Sequence, residues 1–118
     1  MSDKNLRGGR NIAMKVPEHQ FAATVNAYKT LGLPVISVSD VTVSFDFGPI
    51  HLHVDKVTRL SQAEVWLEFI TTDVQEAAVT VERAGFVRCD RIERLPEGFA
   101  GFWVSSPASI VHLVSEME

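Results

Sequence analysis

The chain has 118 residues, of which 46% are apolar and 22% charged, as expected for one globular domain. Eleven Lys and Arg against fifteen Asp and Glu give a net charge of −4. The charged residues form no block of one sign, which argues against nucleic acid as the main partner. No run approaches the roughly 20 apolar residues that a membrane-spanning helix needs. With a single cysteine, Cys89, and no apolar signal-peptide core, the sequence predicts a cytoplasmic protein without an internal disulfide.

The first half of the chain predicts one strand, one helix and three further strands. Residues 1–10 contain two glycines and few apolar side chains, and predict a flexible lead-in to a single domain over 11–118. Alternating apolar residues predict a strand over 11–16. Apolar residues at spacings of three and four predict a helix over 18–31, which Gly32 ends. Three strands are then predicted at 35–39, 41–47 and 50–54.

The second half of the chain repeats this order of elements. A strand is predicted at 64–69, and Asp73 with Glu76 forms a capping box for a helix that Gly85 ends. Three strands are predicted after it, at 86–92, 100–105 and 109–114. A shift of about 53 residues superposes the two patterns, and two copies favour a paired, pseudo-symmetric domain over a stacked array. The domain therefore divides into module one, 11–62, and module two, 63–118.

Two βαβββ modules in one chain resemble the vicinal oxygen chelate superfamily, which includes glyoxalase I, bleomycin-resistance proteins and extradiol dioxygenases. The resemblance is carried by NIAMKVPEHQFAATVNAYKTLGLPV at the opening strand and helix, VSFDFGPIHLHV at the central hairpin and GFWVSSPASIVHLV at the closing hairpin. It implies an α+β fold in which curved mixed sheets form a cup and helices pack on the outer faces. It also implies a homodimer, which the open edges of two four-stranded sheets favour.

Strand alternation predicts which side chains face into this cup, because they lie out of phase with the apolar residues that pack against the helices. In the closing strand, Val111 and Leu113 are expected to pack and His112 to face the cup. Three of the four histidines share the predicted inner surface with two glutamates and a lysine. The chemistry-bearing members are Asn11, Lys15, His51, His53, Asp55, Glu64, Trp66, Glu68 and His112.

The resemblance places metal-ligand positions on His51 and His112, and imidazole binds Zn, Fe, Ni or Mn. The opening position of module two falls on Glu64 through the repeat, or on Trp66 when counted back from the helix cap. Glu64 is preferred, because Trp cannot coordinate a metal. The opening position of module one falls on Asn11, and an amide is a poor ligand for a transition metal. The implied site is one divalent ion held by His51, Glu64 and His112, with a metal-free cup as the alternative.

The closing turn is one residue shorter than is usual in the superfamily. A single register step would therefore turn His112 to the other face of its sheet.

Other residues of the predicted surface are candidates for catalysis and substrate binding. Glu68 is predicted to be a general base, with an ion pair to Lys15 as the alternative. Lys15 falls where metal-dependent relatives carry a cation that faces the substrate, which suits an anionic substrate. Phe102 lies in the glycine-punctuated stretch LPEGFAGFW and is predicted to cover the mouth of the cup, with core or dimer packing as the alternative. The predicted substrate-binding residues are Asn11, Lys15, His53, Trp66 and Phe102.

Three functions remain open from the sequence. The first is a metal-dependent lyase or dioxygenase of the glyoxalase type, acting on a small oxygen-rich or anionic substrate. The second is a metal-free protein of the bleomycin-resistance type that binds a small molecule. The third is a structural or regulatory dimer with a vestigial cup. Metal content and small-molecule binding distinguish them.

Overall fold

A computed structural model describes residues 6–116 of the chain and shows an α+β fold. Its elements in chain order are β1 (Arg7–Gly8), β2 (Asn11–Val16), α1 (Glu18–Thr30), β3 (Val35–Val38), β4 (Thr42–Phe47), β5 (Ile50–Lys56), β6 (Glu64–Thr71), α2 (Val74–Arg83), β7 (Val87–Arg88), β8 (Gly101–Ser105) and β9 (Val111–Glu116). The predicted order of two βαβββ repeats is confirmed. Of the helices within this part of the chain, none is long and apolar enough to cross a membrane.

The chain divides into two compact units. The first unit spans Arg10–Trp66, and the second combines the N-terminal residues up to Gly9 with the chain from Leu67 onward. The boundary falls inside β6, a few residues later than the predicted boundary between the modules. Glu64 and Trp66 are therefore part of the first unit.

In the first unit, one helix packs on a mixed sheet with the strand order β3-β4-β5-β2, followed by the start of β6. Strands β2 and β5 run parallel, whereas β3–β4, β4–β5 and β2–β6 are antiparallel. The predicted helical stripe is largely confirmed, since Phe21, Val25 and Tyr28 contact the core. Leu31 follows the end of α1 and is 76% exposed, contrary to its predicted place in that stripe. The buried core consists of Val16, Val25, Val43, Phe45, Leu52 and Val54.

The second unit has the same local order of strands, β6-β9-β8-β7, and packs α2 on one face. Strands β6 and β9 run parallel, while β8–β9 and β7–β8 are antiparallel. The predicted capping box is confirmed at its first residue, where the backbone N–H of Glu76 donates to Asp73 Oδ1 at 3.1 Å. The buried core consists of Ala77, Val81, Phe102, Val104 and Val114.

The N-terminal lead-in is more ordered than predicted. Residues 1–5 lie outside the described part of the chain. Arg7–Gly8, however, forms a short antiparallel strand in which Arg7 pairs with Ile70 and Gly8 with Phe69. The expectation of a flexible segment is therefore wrong for this pair of residues.

Strand β7 is much shorter than the predicted strand at 86–92. Its pairing with β8 ends where the Asp90 carboxylate accepts a hydrogen bond from the backbone N–H of Trp103 at 3.0 Å. The chain then turns, as the backbone N–H of Ile92 donates to the carbonyl of Cys89. The Asp90 side chain thus replaces the backbone carbonyl that would otherwise pair with Trp103. The alternation of apolar residues does not predict this end of the strand.

In the closing strand, β9, the side chains that face the helix are shifted by one residue from the prediction. His112 pairs with Leu67, and Val114 pairs with Phe69. Val114 is fully buried in the core against α2, so Leu113 points to the opposite face. The shift follows from a five-residue turn in which Ser106 Oγ accepts from the backbone N–H groups of Ala108 and Ile110. The strand therefore begins at Val111 rather than at 109.

Candidate functional site

The face of the first sheet opposite α1 carries most of the predicted polar side chains. Parallel pairing of β2 with β5 places Asn11 beside His51 and Lys15 beside Asp55. Antiparallel pairing with β4 brings Ser44 opposite His53 on the same face. The apolar residues of these strands face α1 instead, as the alternation predicted.

Hydrogen bonds at both ring nitrogens hold the His53 side chain. Ser44 Oγ lies 2.7 Å from His53 Nδ1, and Asn11 Oδ1 lies 2.7 Å from His53 Nε2. A proton on Nε2 satisfies both contacts, because Nε2–H then donates to Asn11 and the Ser44 hydroxyl donates to Nδ1. His53 therefore joins β4, β5 and β2 on this face and has no ring nitrogen left for a metal ion.

Lys15 is buried on the same face with its charge balanced. Its Nζ lies 2.7 Å from Asp55 Oδ2, and the residue is only 4% exposed. The Thr42 hydroxyl donates to the other Asp55 oxygen at 2.8 Å. Lys15 Nζ also lies 4.4 Å from the centre of the Trp66 ring, and Trp66 Nε1 donates to Glu64 Oε1 at 2.9 Å. A βαβββ unit requires parallel pairing of β2 with β5, and this pairing places Lys15 beside Asp55. The repeat in the sequence could therefore have indicated this ion pair.

His51 is the exposed histidine of this face. Its ring centre lies 6.4 Å from that of His53. Both imidazoles thus lie at the same end of the polar surface, but only His51 presents its ring to solvent.

His112 lies on the α2 face of the second sheet, which corrects the expected inward orientation. Its ring stacks on Phe69 at 5.0 Å between centres and meets the edge of Phe86 at 5.4 Å. Its Nδ1 donates to the Ile110 carbonyl at 3.0 Å, and the residue is 8% exposed. The one-step change in phase of β9 is the physical reason for this placement.

Phe102 also belongs to the core rather than to a binding surface. It packs with Val104 and Val114 against α2 and is 3% exposed. The Arg88 guanidinium covers its ring at 4.4 Å from the centre. The alternative of core packing was therefore the right one for Phe102.

The side chains at the assigned ligand positions do not fit the divalent ion that the resemblance implies. Within residues 6–116, no three His, Cys, Asp or Glu side chains form a group that could hold a metal ion. His112 is packed between phenylalanine rings, and Glu64 accepts a hydrogen bond from Trp66. Of the three assigned ligands, His51 alone is an exposed imidazole.

We expect protein purified without chelators to retain no stoichiometric Mn²⁺ or Zn²⁺ after gel filtration, because the assigned ligands are packed or hydrogen-bonded in other ways. Elemental analysis measures the metal-to-protein ratio. One retained equivalent that is lost in both His51→Ala and His112→Ala would contradict this expectation. The His19→Ala variant, altered on α1, is the control.

The second unit contains a pocket of about 550 Å³ beside Glu68. Its lining combines two carboxylates with a phenyl ring and includes no basic side chain. The lining residues are Glu68, Gly98, Phe99, Ala100, Leu113, Ser115 and Glu116. The sequence indicated Glu68 and the glycine-punctuated Phe99 segment, but Leu113 and Ser115 join them only through the observed phase of β9.

Two glycines allow the side chains of this pocket to approach the backbone closely. A Cβ at Gly101 would lie 2.5 Å from Phe99 Cε2 and 2.6 Å from the Val114 carbonyl oxygen. A Cβ at Gly9 would overlap the Glu68 carboxylate, while the Gly9 N–H donates to the Glu68 carbonyl at 2.8 Å. The positions of Phe99 and Glu68 therefore depend on the absence of a side chain at these two glycines.

Cys89 lies outside this pocket and has the environment of an unreactive thiol. Burial raises the pKa of the Cys89 thiol above its ordinary value, and the neighbouring Asp90 carboxylate raises it further, against a smaller opposing effect of Arg88. A raised pKa lowers the fraction of reactive thiolate at neutral pH.

Comparison by sequence identifies no relative, since no family model and no curated protein match the chain. Solved structures do match. The Mn(II)-bound glyoxalase from Novosphingobium aromaticivorans has a TM-score of 0.67 at 17% identity and matches 95% of this chain. Homoprotocatechuate 2,3-dioxygenase from Arthrobacter globiformis has a TM-score of 0.63 at 14% identity over 98% of the chain. Hypothetical protein BH1468 from Bacillus halodurans C-125 has a TM-score of 0.64 at 10% identity, with 98% of this chain and 96% of that protein matched.

These likenesses define the class of fold. The chain is an α+β protein of paired βαβββ repeats, and it spans only 39% of the glyoxalase and 38% of the dioxygenase. It shares its fold with the solved glyoxalase and dioxygenase structures, as the resemblance of its sequence predicted. At these identities the likeness concerns the fold, and the activity follows from the site.

Proposed function

We propose that this protein binds a small aromatic amine in the pocket of its second unit, without a metal ion. The observation that carries the proposal is the cavity of about 550 Å³ bounded by Glu68, Phe99 and Glu116. Small-molecule sites are concave, largely apolar and supplied with a few polar groups, and their volumes run from about 300 to 1,000 Å³. This cavity has that size, and its lining combines the Glu68 and Glu116 carboxylates with the Phe99 ring and Leu113.

The chemistry of the lining favours a cation with a flat apolar part. Glu68 and Glu116 contribute negative charge, and no Lys or Arg lines the cavity. The Phe99 ring is 40% exposed, so it can contact an aromatic group or the face of a ligand cation. In the first unit, Asp55 balances the charge of Lys15. The anionic substrate expected from Lys15 is therefore less well supported than an amine.

The metal-dependent alternative has less support from this chain. Manganese is named for the similar glyoxalase, and the other named neighbour is a dioxygenase. Here the His53 imidazole is hydrogen-bonded to Ser44 and Asn11. The His112 imidazole packs against two phenylalanine rings. The role of Glu68 as a general base stays a prediction, and its place in the pocket also suits a ligand-binding carboxylate.

Calorimetric titration with tryptamine tests the proposal. We expect a dissociation constant below about 1 mM for tryptamine, and binding at least about tenfold weaker for indole-3-propionate, an anion of similar size. The Glu68→Gln variant should weaken tryptamine binding at least about tenfold, since it removes one carboxylate from the cavity.

Glu64→Gln in the first unit is the matched control and should leave tryptamine binding unchanged. Titration in EDTA should give the same dissociation constant. Equal affinity for the amine and the acid would refute the proposed ligand class. Loss of binding in EDTA would refute a metal-free site.

We also propose that the protein acts in the cytosol as a homodimer. The single, partly buried cysteine with its raised pKa is compatible with a reducing compartment. Open edges of two mixed sheets favour association between copies.

A further inference from the structure

Ser44, His53 and Asn11 form a chain of hydrogen bonds on the polar face of the first sheet. They lie on β4, β5 and β2, and the register of β4 with β5 places Ser44 directly opposite His53. Ser44 Oγ lies 2.7 Å from His53 Nδ1, and His53 Nε2 lies 2.7 Å from Asn11 Oδ1. Both distances fall within the range of about 2.6 to 3.2 Å in which a general base takes up a proton.

The tautomer of His53 that satisfies both contacts is also the one that a general base needs. With its proton on Nε2, the ring donates to Asn11, and the lone pair of Nδ1 accepts from the Ser44 hydroxyl. A serine bonded to an imidazole that a third group orients is the arrangement found in activated serine nucleophiles. The geometry therefore has all three parts of such a group.

Other serines of the chain make hydrogen bonds of a different kind. Ser39 Oγ bonds to backbone groups of Val41 and Thr42, and Ser106 Oγ accepts from two backbone N–H groups of its own turn. Those bonds stabilise turns. Ser44 instead contacts a side chain that can take up its proton.

Ser44 lies one step inside an exposed pair of residues. Next to it along the two strands, Asp46 pairs with His51, and both side chains are exposed. Ser44 itself is only 3% exposed. The hydroxyl is thus shielded from bulk water but borders the exposed end of the polar face. Hydrogen bonds and charges have larger effects on a reaction in such a shielded position.

We infer that Ser44 is a nucleophile that accepts an acyl group from a small activated ester, with His53 as its general base. Ser44 Oγ bonds to the carbonyl carbon of the ester while its proton passes to His53 Nδ1. The bond from that carbon to the leaving oxygen then breaks, and the leaving oxygen takes the proton from Nδ1. The products are an acyl-serine and an alcohol.

Water completes the cycle through the same two side chains. A water oxygen bonds to the acyl carbon and gives one proton to His53 Nδ1. The bond from the acyl carbon to Ser44 Oγ breaks, and Oγ takes the proton back as a carboxylic acid leaves. The net reaction is ester hydrolysis, and Asn11 acts as a positioning residue that holds the ring of His53.

Reaction of the full chain with p-nitrophenyl acetate tests this inference. Absorbance measures the release of p-nitrophenol, and peptide mass spectrometry after an acid quench locates the acetyl group, which we expect on Ser44. The rate that is lost in Ser44→Ala defines the Ser44-dependent rate. General-base catalysis contributes about 10² to 10⁴ in rate, so His53→Gln should lower the Ser44-dependent rate at least about a hundredfold.

Two variants control for background reactivity. Ser37→Ala removes an exposed hydroxyl from the residue that pairs with Ser44 on β3. His51→Gln removes the exposed imidazole of the same face, which can react with esters by itself. Neither change should alter the Ser44-dependent rate. Circular dichroism verifies that each variant folds.

The Asn11→Asp variant separates orientation of the base from a structural role. A carboxylate stabilises the imidazolium more than an amide oxygen does, so the Ser44-dependent rate should rise at least about threefold. A residue that only maintains the fold would give no such increase. An unchanged rate would overturn the positioning role of Asn11.

Equal release of p-nitrophenol by the parent protein and by Ser44→Ala would overturn the inference. A Ser44-dependent rate that persists in His53→Gln would overturn the role of His53 as the base. The inferred site lies in the first unit and does not depend on the pocket of the second. Tryptamine binding by Ser44→Ala should therefore equal that of the parent protein.

Discussion

The Lys15→Met variant should lose roughly 2 to 3 kcal/mol of unfolding free energy, because it leaves the Asp55 carboxylate without its cation in a buried setting. The Asp55 side chain is only 18% exposed and would keep the Thr42 hydroxyl as a partner. Methionine retains the apolar stem of lysine, so the change removes charge more than volume. Urea denaturation of the parent and the variant measures the difference.

The exposed pair of Arg88 with Asp90 provides the matched control. Its side chains are 42% and 47% exposed, and solvent screens such a pair to below about 1 kcal/mol. Arg88→Met should therefore cost much less than Lys15→Met. Equal losses of unfolding free energy in the two variants would show that the buried Lys15–Asp55 pair stabilises the protein no more than the exposed pair.

The Gly101→Ala variant should lose about 2 kcal/mol of unfolding free energy and weaken tryptamine binding at least about tenfold. The new methyl group would lie 2.6 Å from the Val114 carbonyl oxygen and 2.5 Å from the Phe99 ring. Relief requires a shift of β8 against β9 and displacement of Phe99, which borders the proposed pocket. Denaturation and calorimetric titration measure the two effects separately.

Gly8→Ala is the control for this change. A Cβ at Gly8 would meet no atom within 4 Å, so neither stability nor binding should change appreciably. Unaltered tryptamine binding in a destabilised Gly101→Ala protein would separate Phe99 from the ligand and count against the proposed pocket.

Local patterns in the sequence were sufficient to predict the helices and most strands. The stripe of Phe21, Val25 and Tyr28 packs as its spacing indicated, and Asp73 caps α2. Strand alternation also placed Lys15 and Asp55 on one face of the first sheet. These features depend on contacts within a few residues or on a period of two, which one sequence displays directly.

The candidate site was harder to predict because it depends on phase and pairing between distant strands. The hydrogen bonds of Ser106 fix where β9 begins, and one step at that turn moved His112 from the expected polar surface to the phenylalanine rings against α2. The same step brought Leu113 to the pocket. A short turn thus decides which side chains of β9 face α2. The alternation of apolar residues along the strand does not determine that phase.

The short strand β1 leads into Gly9, which contacts the pocket residue Glu68. Local detachment of β1 would therefore alter the surroundings of the pocket. Gly9 donates to the backbone of Glu68 and leaves room for its carboxylate, yet β1 has only two residues. A strand held by two residue pairs detaches at a small fraction of the cost of global unfolding. Detachment would free Glu68 from this neighbour while the core around Val114 stays intact. Changes that break the pairing of β1 with β6 should therefore change ligand affinity through the population of the attached strand, with little effect on the stability of the domain.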